Sequence, residues 1–518
     1  MMKKIVNTFA LMGALILVSC TNDLEFDAYN TLPQNKFWQT QEDAESAIYA
    51  CYGKLSDWPF IEPTTFAPEE IASDNTAKGS STDDQPDINQ FKAFSFTPSH
   101  GIFNTFWNSR YSLINICNQA ITNIPNITMD ETYKKQLLGE AKFIRAWTYF
   151  ELVRMFGEVI IYDGIPSDGS YDIPKSSVED VYNFILSDLE YGYANMYKTA
   201  WADAGKGRVT AWSARALEAK VLMYMASGAN FMEDGKAIGG KTWTDVKTVT
   251  EDVIAHGPYS LYTAKGDSSF FYLFRLENEN CDESIFEAQN GASKSYGDIN
   301  RCAYAVYRWV RGSNDNGDGW GLDVPTDGLV TDWQARTDDT IRLHASIAFR
   351  GDKLSDGTTV GGLTELAGTN AGKAGYPVAR YSMKVYVPLN GQTKLSWIYG
   401  IEQNIRLLRF SDILLIDAEA KLNLEDPDGA ILSINKVRNR VKETPYKASE
   451  LTLGKIWDER RFELAFENDR FFDMVRTGLA KTKLVSNGFV YPKHVFYPIP
   501  QAQIDLSNGI LLQNKNYK

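Results

Sequence analysis

The sequence predicts a mainly α-helical protein, in which helix pairs stack like tetratricopeptide repeats and carry a large irregular loop region with short strands. Two blocks, about 43–256 and 406–478, repeat apolar residues at helical spacing. Between them, residues 257–400 are rich in Gly, Asp, Asn, Thr and Trp, which is typical of loops. Hydrophobic residues make up 44% of the 518 positions, enough for a large core. Because stacked repeats form one cooperative block, we expect a single domain over 20–518.

The first twenty residues have the pattern of a lipoprotein signal peptide. Lys3 and Lys4 precede an apolar run over 9–18, which is too short for a membrane span of about 20 residues. Ser19 then precedes Cys20, which resembles a bacterial lipobox, where the thiol takes a diacylglycerol and the chain is cut before it. We therefore expect residues 1–19 to be removed and Cys20 to be the only membrane anchor. The alternative is an ordinary cleaved signal with a chance cysteine.

Three helices are predicted with particular clarity. One runs over 134–156 and stops before Gly157, as helices often do. A second starts near Arg208, and its apolar stripe contains Ala214, Leu217, Val221, Tyr224 and Met225. A third starts at Arg406 and is apolar on both sides, which predicts a helix buried between neighbours.

The charge and the remaining cysteines exclude several classes of protein. The formal net charge is −13, whereas a nucleic-acid binder needs a positive surface, so we expect no nucleic-acid partner and little attraction to anionic lipid. Cys51, Cys117, Cys281 and Cys302 form no CxxC pair, which argues against a zinc site or a disulfide framework. The pattern predicts a core position for Cys117 and leaves a single disulfide open.

Signals for a metal, a cofactor or a nucleophile are poor. The four histidines are scattered, and neither HExxH nor GxSxG is present. The segment 314–319 partly resembles an EF-hand loop, but Pro325 stands where the bidentate glutamate belongs, so a solvated turn is favoured over a calcium site. We expect no metal and no cofactor.

An acid-rich segment, 458–476, could be read as the carboxylates of a glycosidase. Its acids are Glu459, Glu463, Glu467 and Asp473. A glycosidase needs two carboxyl groups about 5–9.5 Å apart, one of them with a raised pKa. Here several arginines lie beside acids on an apolar stripe, and they would lower those pKa values. The pattern predicts partly buried ion pairs between helices rather than a catalytic site.

Eight segments, in order along the chain, resemble the SusD/RagB family of surface lipoproteins. They are FWNSRYSLINICN (106–118), EAKFIRAWTYFELVRMFG (140–157), GRVTAWSARALEAKVLMY (207–224), GWGLDVPTDGLV (319–330), RLLRFSDILLIDAEAKL (406–422), INKVRNR (434–440), DERRFELAFENDRFFDMVRTG (458–478) and FYPIPQAQI…LLQNKNY (496–517). The resemblance implies a SusD-like helical fold and a non-catalytic protein on the outer membrane, exposed at the cell surface. It also implies a SusC-like TonB-dependent transporter as partner, to which a bound oligosaccharide or polysaccharide is delivered.

Candidate ligand-binding residues come from the loops. Sugars bind flat aromatic rings through their C–H faces, while polar side chains hydrogen-bond their hydroxyl groups. Trp309 and Trp320 lie in a Gly- and Asp-rich stretch and are predicted as ring platforms, although either could instead fix its loop. Asp74 and Asn75 lie in the other long loop, 62–101, and with Arg380 are predicted to hydrogen-bond the ligand.

Three other functions stay open on the sequence alone. The same fold could capture a peptide or a glycopeptide, or serve as a structural subunit of the transporter assembly without a ligand. A glycoside hydrolase is the third alternative.

Overall fold

The structure is a computed structural model that describes most of the chain after residue 36. The described ranges are 37–61, 63–80, 83–165, 173–202, 205–290, 303–310, 319–360, 380–388, 391, 393–394, 399–400 and 402–517.

Helices dominate these ranges. The helices of the first half are α1 (Gln41–Lys54), α2 (Trp58–Ile61), α3 (Asn89–Lys92), α4 (Gly101–Asn123), α5 (Glu131–Phe156), α6 (Val178–Asn195), α7 (Ala211–Ala226), α8 (Gly228–Phe231) and α9 (Trp243–His256). Those of the second half are α10 (Ser269–Tyr272), α11 (Ala303–Arg308), α12 (Asp327–Gln334), α13 (Thr340–Ser346), α14 (Phe410–Asn423), α15 (Pro427–Arg440), α16 (Leu453–Glu463), α17 (Arg470–Arg476), α18 (Ala480–Lys483) and α19 (Gln501–Leu506). The strands are β1 (Thr76–Lys78), β2 (Ser284–Ala288), β3 (Asp323–Pro325), β4 (Ile347–Phe349), β5 (Arg380–Ser382), β6 (Thr393–Lys394), β7 (Tyr399–Gly400) and β8 (Ile405–Arg409).

The long helices stack one against the next. Helix α4 packs on α5, α5 on α6 and α6 on α7, and then α9 lies between α7 and α14, which packs on α15. Helices α5, α7 and α14 are buried on nearly all sides, because apolar residues surround each of them. The predicted helical scaffold is confirmed, including the burial of the apolar stripe in α7. Among the described residues, no helix is both long and apolar enough to cross a lipid bilayer.

The ends of α5 follow from local chemistry. The Asp130 side chain accepts a hydrogen bond from the Tyr133 backbone N–H (2.8 Å), which caps the first turn. The helix ends at Phe156, and Gly157 follows with φ of 73°, a conformation that favours glycine. A Cβ atom at this position would lie 3.0 Å from the ring of Phe496, so the predicted stop at Gly157 is confirmed and has a packing reason.

The predicted start of the third helix at Arg406 is wrong. Residues Ile405–Arg409 form β8, which pairs antiparallel with β2, so that Ala288 lies opposite Ile405 and Ser284 opposite Arg409. Helix α14 begins only at Phe410. A short run of apolar residues suits either secondary structure, and here the pairing with β2, which is distant in sequence, decides for a strand.

Short strands occur mainly in and beside the loop region, as predicted. The described part of the chain forms two-stranded antiparallel sheets only, which are β1–β3, β2–β8, β4–β5 and β6–β7. The β1–β3 pair joins 76–78 to 323–325, and β3 also contacts β5. These contacts bring the two loop-rich regions of the sequence to one place.

Candidate ligand-binding site

The β1–β3 pair fixes the backbone at the site. Lys78 lies opposite Asp323, and the Gly79 backbone N–H donates to the carbonyl of Leu322 (2.8 Å). The two chains approach so closely that a Cβ at Gly79 would lie 2.1 Å from the carbonyl oxygen of Gly321. Only glycine fits there, and the segment that follows Gly319 is therefore held against the end of β1.

Three aromatic rings, which we name the aromatic edge, meet beside this pair: Trp58, Tyr307 and Trp320. The ring centroids of Trp58 and Trp320 are 5.7 Å apart, and Tyr307 lies 5.4 Å from Trp58 and 4.8 Å from Trp320. All three contacts are edge-to-face, the arrangement that aromatic pairs favour. Tyr307 is buried, whereas both indoles are half-buried and keep exposed surface.

The buried guanidinium of Arg308 fixes the helix that carries Tyr307 of the aromatic edge. The Arg308 guanidinium lies 3.9 Å from the centre of the Tyr304 ring and 3.1 Å from the Asp323 carboxylate. It also donates to the Asn468 side chain (2.8 Å). Because Arg308 is completely buried, these contacts hold α11, and with it Tyr307, in one position.

A second buried group ties this region to the C-terminal third of the chain. Glu70 lies in a π-helical turn, Ala67–Ile71, and accepts a hydrogen bond from the Asn468 backbone N–H (2.7 Å). Burial raises the pKa of Glu70 to about 8, and the nearby Asp323 carboxylate adds to the rise. Glu70 is therefore mostly protonated at neutral pH.

The two predicted tryptophans differ in their surroundings. Trp320 belongs to the aromatic edge, and its ring is partly accessible. Trp309 has no exposed surface, and its ring packs 5.3 Å from Tyr386 and 6.4 Å from Tyr381. A side chain enclosed in this way offers no face to a sugar, so the structure corrects the prediction for Trp309 and places it in the core of its loop.

Asp74 and Asn75 are engaged by arginines of the C-terminal third. Asp74 accepts two hydrogen bonds from Arg470 (2.7 and 2.9 Å), and Asn75 accepts one from Arg461 (2.8 Å). Burial alone would raise the pKa of Asp74, but Arg470 and Arg461 outweigh it and hold the pKa well below its usual range. Asn75 is fully buried. Burial therefore corrects the prediction for Asn75, whereas the side chain of Asp74 keeps 19% of its surface exposed, and its predicted contact with a ligand stays a prediction.

Arg380 lies in β5 and is also mostly buried. Its guanidinium forms an ion pair with Asp327, whose side chain is 75% exposed. The residue therefore joins β5 to the start of α12, and the structure gives it a carboxylate partner where a ligand hydroxyl was predicted.

The acid-rich segment forms a buried ionic network, as predicted. Glu463 contacts Arg440, Arg409 (3.0 Å) and Arg342 (3.1 Å), and all four side chains are 0–1% exposed. Burial opposes the charged form, but the three arginines hold the pKa of Glu463 far below its usual range. The same balance, dominated by Arg342 among the charges, holds the pKa of Glu459 at about 2. Acids in this state cannot donate the proton that a glycosidase requires.

Other predicted features lie partly outside the described residues. Cys20, Cys302 and residues 314–318 are not among them. Cys51, Cys117 and Cys281 are free thiols, and Cys117 is buried in the core as predicted. In the part of the chain that the structure describes, His, Cys, Asp and Glu form no cluster of three or more suited to a metal ion.

Sequence reasoning missed Trp58. The residue lies in the short helix α2, inside the predicted helical block and just before the first long loop. A signal was present, because Trp58 directly precedes Pro59 and the segment around them lacks helical periodicity. Its pairing with Trp320, however, joins positions 262 apart, which no local pattern reveals.

Comparisons with known proteins agree with this architecture. Residues 282–517 match a family described as the SusD family, and residues 30–223 match one described as "Starch-binding associating with outer membrane". SusD-like protein P2 of Formosa agariphila is 25% identical over 543 aligned positions, which cover all of both chains.

Solved structures extend the likeness to the fold. A laminarin-binding SusD-like protein has a TM-score of 0.74 and 24% identity, with 92% of this chain and 100% of that chain covered. Surface glycan-binding protein A of Bacteroides thetaiotaomicron, in complex with laminarihexaose, has a TM-score of 0.73 and 21% identity, with 92% of this chain and 100% of that chain covered. The two family matches together take in most of the sequence, and the resemblance noted from its motifs is confirmed: the chain belongs to the SusD/RagB family.

Proposed function

We propose that this protein is a non-catalytic surface lipoprotein that binds a glycan at the aromatic edge and delivers it to a TonB-dependent transporter. The observation that carries the proposal is the pair of half-buried indoles, Trp58 and Trp320, which keep exposed surface and are held by a buried support. Flat apolar rings of this kind suit the C–H faces of sugar rings. Relatives of the same fold that bind laminarin or laminarihexaose support the choice of a glycan.

The proposal is tested by titrating the purified protein with laminarin, xyloglucan, starch and other polysaccharides. Burying one indole against a ligand contributes about 1.5–3 kcal/mol, so Trp58→Ala and Trp320→Ala should each weaken binding by roughly 10- to 150-fold. Trp243→Ala, which alters a half-buried indole of α9, is the matched control and should bind like the wild type. Failure of the wild type to bind any glycan would reject the proposal.

We infer that the bound glycan is not cut. Two of the acids that the sequence offers for a glycosidase, Glu459 and Glu463, are completely buried, and their arginine partners keep them charged. Incubation of the purified protein with each bound polysaccharide should release no product. Release that is lost in Glu463→Gln, in a folded protein, would show an enzyme instead.

The anchor and the transporter are part of the same proposal. Cys20→Ala should give a folded protein that no longer fractionates with the outer membrane, because the described fold starts well beyond residue 20. Affinity purification of the anchored wild type from solubilised outer membranes should recover a TonB-dependent transporter. Membrane association that persists in Cys20→Ala would contradict the lipid anchor.

A further inference from the structure

A second cleft, which we name the α4 cleft, lies on another face of the scaffold. It has a volume of about 390 Å³, within the range of about 300–1,000 Å³ that small-molecule sites occupy. One wall is a face of α4, the opposite wall is the chain after α5, and the C-terminal residues from Gln503 to Leu511 close one side. The aromatic edge adjoins a different face of α4, where Arg110 donates to the carbonyl of Phe60. The two sites are therefore distinct.

Aromatic rings form a continuous surface in the α4 cleft. Trp107 and Tyr111 have ring centroids 4.8 Å apart, and Tyr162 meets Tyr111 edge-to-face at 5.7 Å. The Tyr111 hydroxyl donates to the carbonyl of Ile160 (2.8 Å) and accepts from its backbone N–H (2.9 Å). With both hydrogen bonds made within the protein, this ring is fixed before any ligand arrives, which reduces the entropy that binding costs.

Carboxamide side chains surround these rings. The side chain of Asn118 already makes its hydrogen bonds within the protein. It donates to the carbonyls of Tyr162 (2.8 Å) and Gly164 (3.1 Å) and accepts from Arg145. Asn115 differs, because its half-buried side chain hydrogen-bonds to no other described residue. A carboxamide both donates and accepts, as a sugar hydroxyl does. The cleft thus combines ring faces with an available hydrogen-bonding group.

The lining charges distinguish the α4 cleft from another, larger cavity of the protein. That cavity, of about 530 Å³, is lined in part by Lys206, Arg208, Asp282 and Glu287. Among the described residues that line the α4 cleft, none carries a charged side chain. An anionic sugar would lose the hydration of its charged group there without gaining an opposite charge. A neutral sugar has no charged group, so it avoids this cost. We propose that the α4 cleft is a second carbohydrate site that takes uncharged sugar units, an inference that rests on the proposed glycan-binding function.

The experiment is hydroxyl-radical footprinting of the full chain with neutral probes, laminarihexaose, cellohexaose and xylohexaose, and with an anionic probe, an alginate hexasaccharide. A neutral probe should slow the oxidation of Tyr111 and Tyr162, and the alginate probe should not. Asn115→Arg places a long charged side chain in the cleft and should abolish this protection. The matched control, Ser112→Arg, alters an exposed residue of the same helix that does not line the cleft, and it should keep the protection.

Each result separates the two proposals. Protection of Trp58 and Trp320 without Tyr111 and Tyr162 overturns the α4 cleft as a sugar site and leaves the proposed function standing. Equal protection of Tyr111 by alginate overturns the preference for uncharged sugars, and protection that survives Asn115→Arg overturns the location. If no probe protects either site, the α4 cleft is rejected as a sugar site, and the titration with polysaccharides decides the proposed function separately.

Discussion

Replacing Glu463 with Gln tests whether the ionic network is structural. The substitution keeps the size of the side chain but removes one negative charge among Arg440, Arg409 and Arg342, all of them buried. Breaking a buried ion pair by removing one partner costs about 3–5 kcal/mol, because a charge is left uncompensated. Unfolding entropy near 60 °C is about 2.1 cal/mol/K per residue, or roughly 1 kcal/mol/K for a chain of this length. The melting temperature of Glu463→Gln should therefore fall by about 3–5 °C.

Differential scanning calorimetry measures this fall, and a surface pair supplies the control. Asp267 contacts Lys442 while both side chains are at least 60% exposed, so Asp267→Asn should change the melting temperature by no more than about 1 °C. The pKa of Glu463 is held below its usual range, so its contribution is present above about pH 4.5 and is lost as the pH falls further. The difference in melting temperature between the wild type and Glu463→Gln should be constant from pH 5 to 8 and should decrease at lower pH. A variant as stable as the wild type would refute the reasoning.

Three further substitutions test other buried groups. Because the pKa of Glu70 is raised to about 8, its contribution to stability is lost as the pH rises from about 4.5 to about 8. In thermal melts, the melting temperature of Glu70→Gln should therefore rise by up to about 5 °C relative to that of the wild type between pH 5 and 8.5. Melting temperatures that change in parallel with pH would contradict this. Arg208→Met leaves the buried carboxylate of Glu140 without its guanidinium and should lower the melting temperature by about 3–5 °C, with partial recovery in Arg208→Lys. Asp74→Asn breaks two charge-assisted hydrogen bonds to Arg470 and should cost about 1.5–3 kcal/mol in chemical unfolding while glycan affinity stays unchanged; the reverse result would make Asp74 a ligand-binding residue.

Local signals in the sequence were enough for the helical frame. Apolar periodicity and a terminal glycine located α5 to within a few residues, since both act within one or two turns of the chain. The start of α14 was misplaced because β8 exists only through its pairing with β2, more than a hundred residues away. The local sequence of Ile405–Arg409 does not indicate that it pairs with β2.

The candidate site was harder to predict for the same reason. Trp309 and Trp320 lie in one stretch of similar composition, yet Trp309 is fully buried and Trp320 keeps exposed surface. Only their packing, against Tyr386 and Trp58 respectively, distinguishes them. Asp74 looked available in its loop because its partner, Arg470, follows 396 positions later. The ionic role of Glu463, in contrast, was predictable from the mixture of acids and arginines in its segment, although its partners Arg342, Arg409 and Arg440 all lie earlier in the chain.

The pairing of Asp74 with Arg470 also bears on the order of folding. A loop of this length costs more entropy to close than a local turn, and its closure must wait until both ends exist. Because the chain is made from its N-terminus, Arg470 is added 396 positions after Asp74, and the ion pair that fixes the segment around β1 cannot form before then. A truncated product that ends before Arg470 would therefore lack the ion pair that fixes this segment.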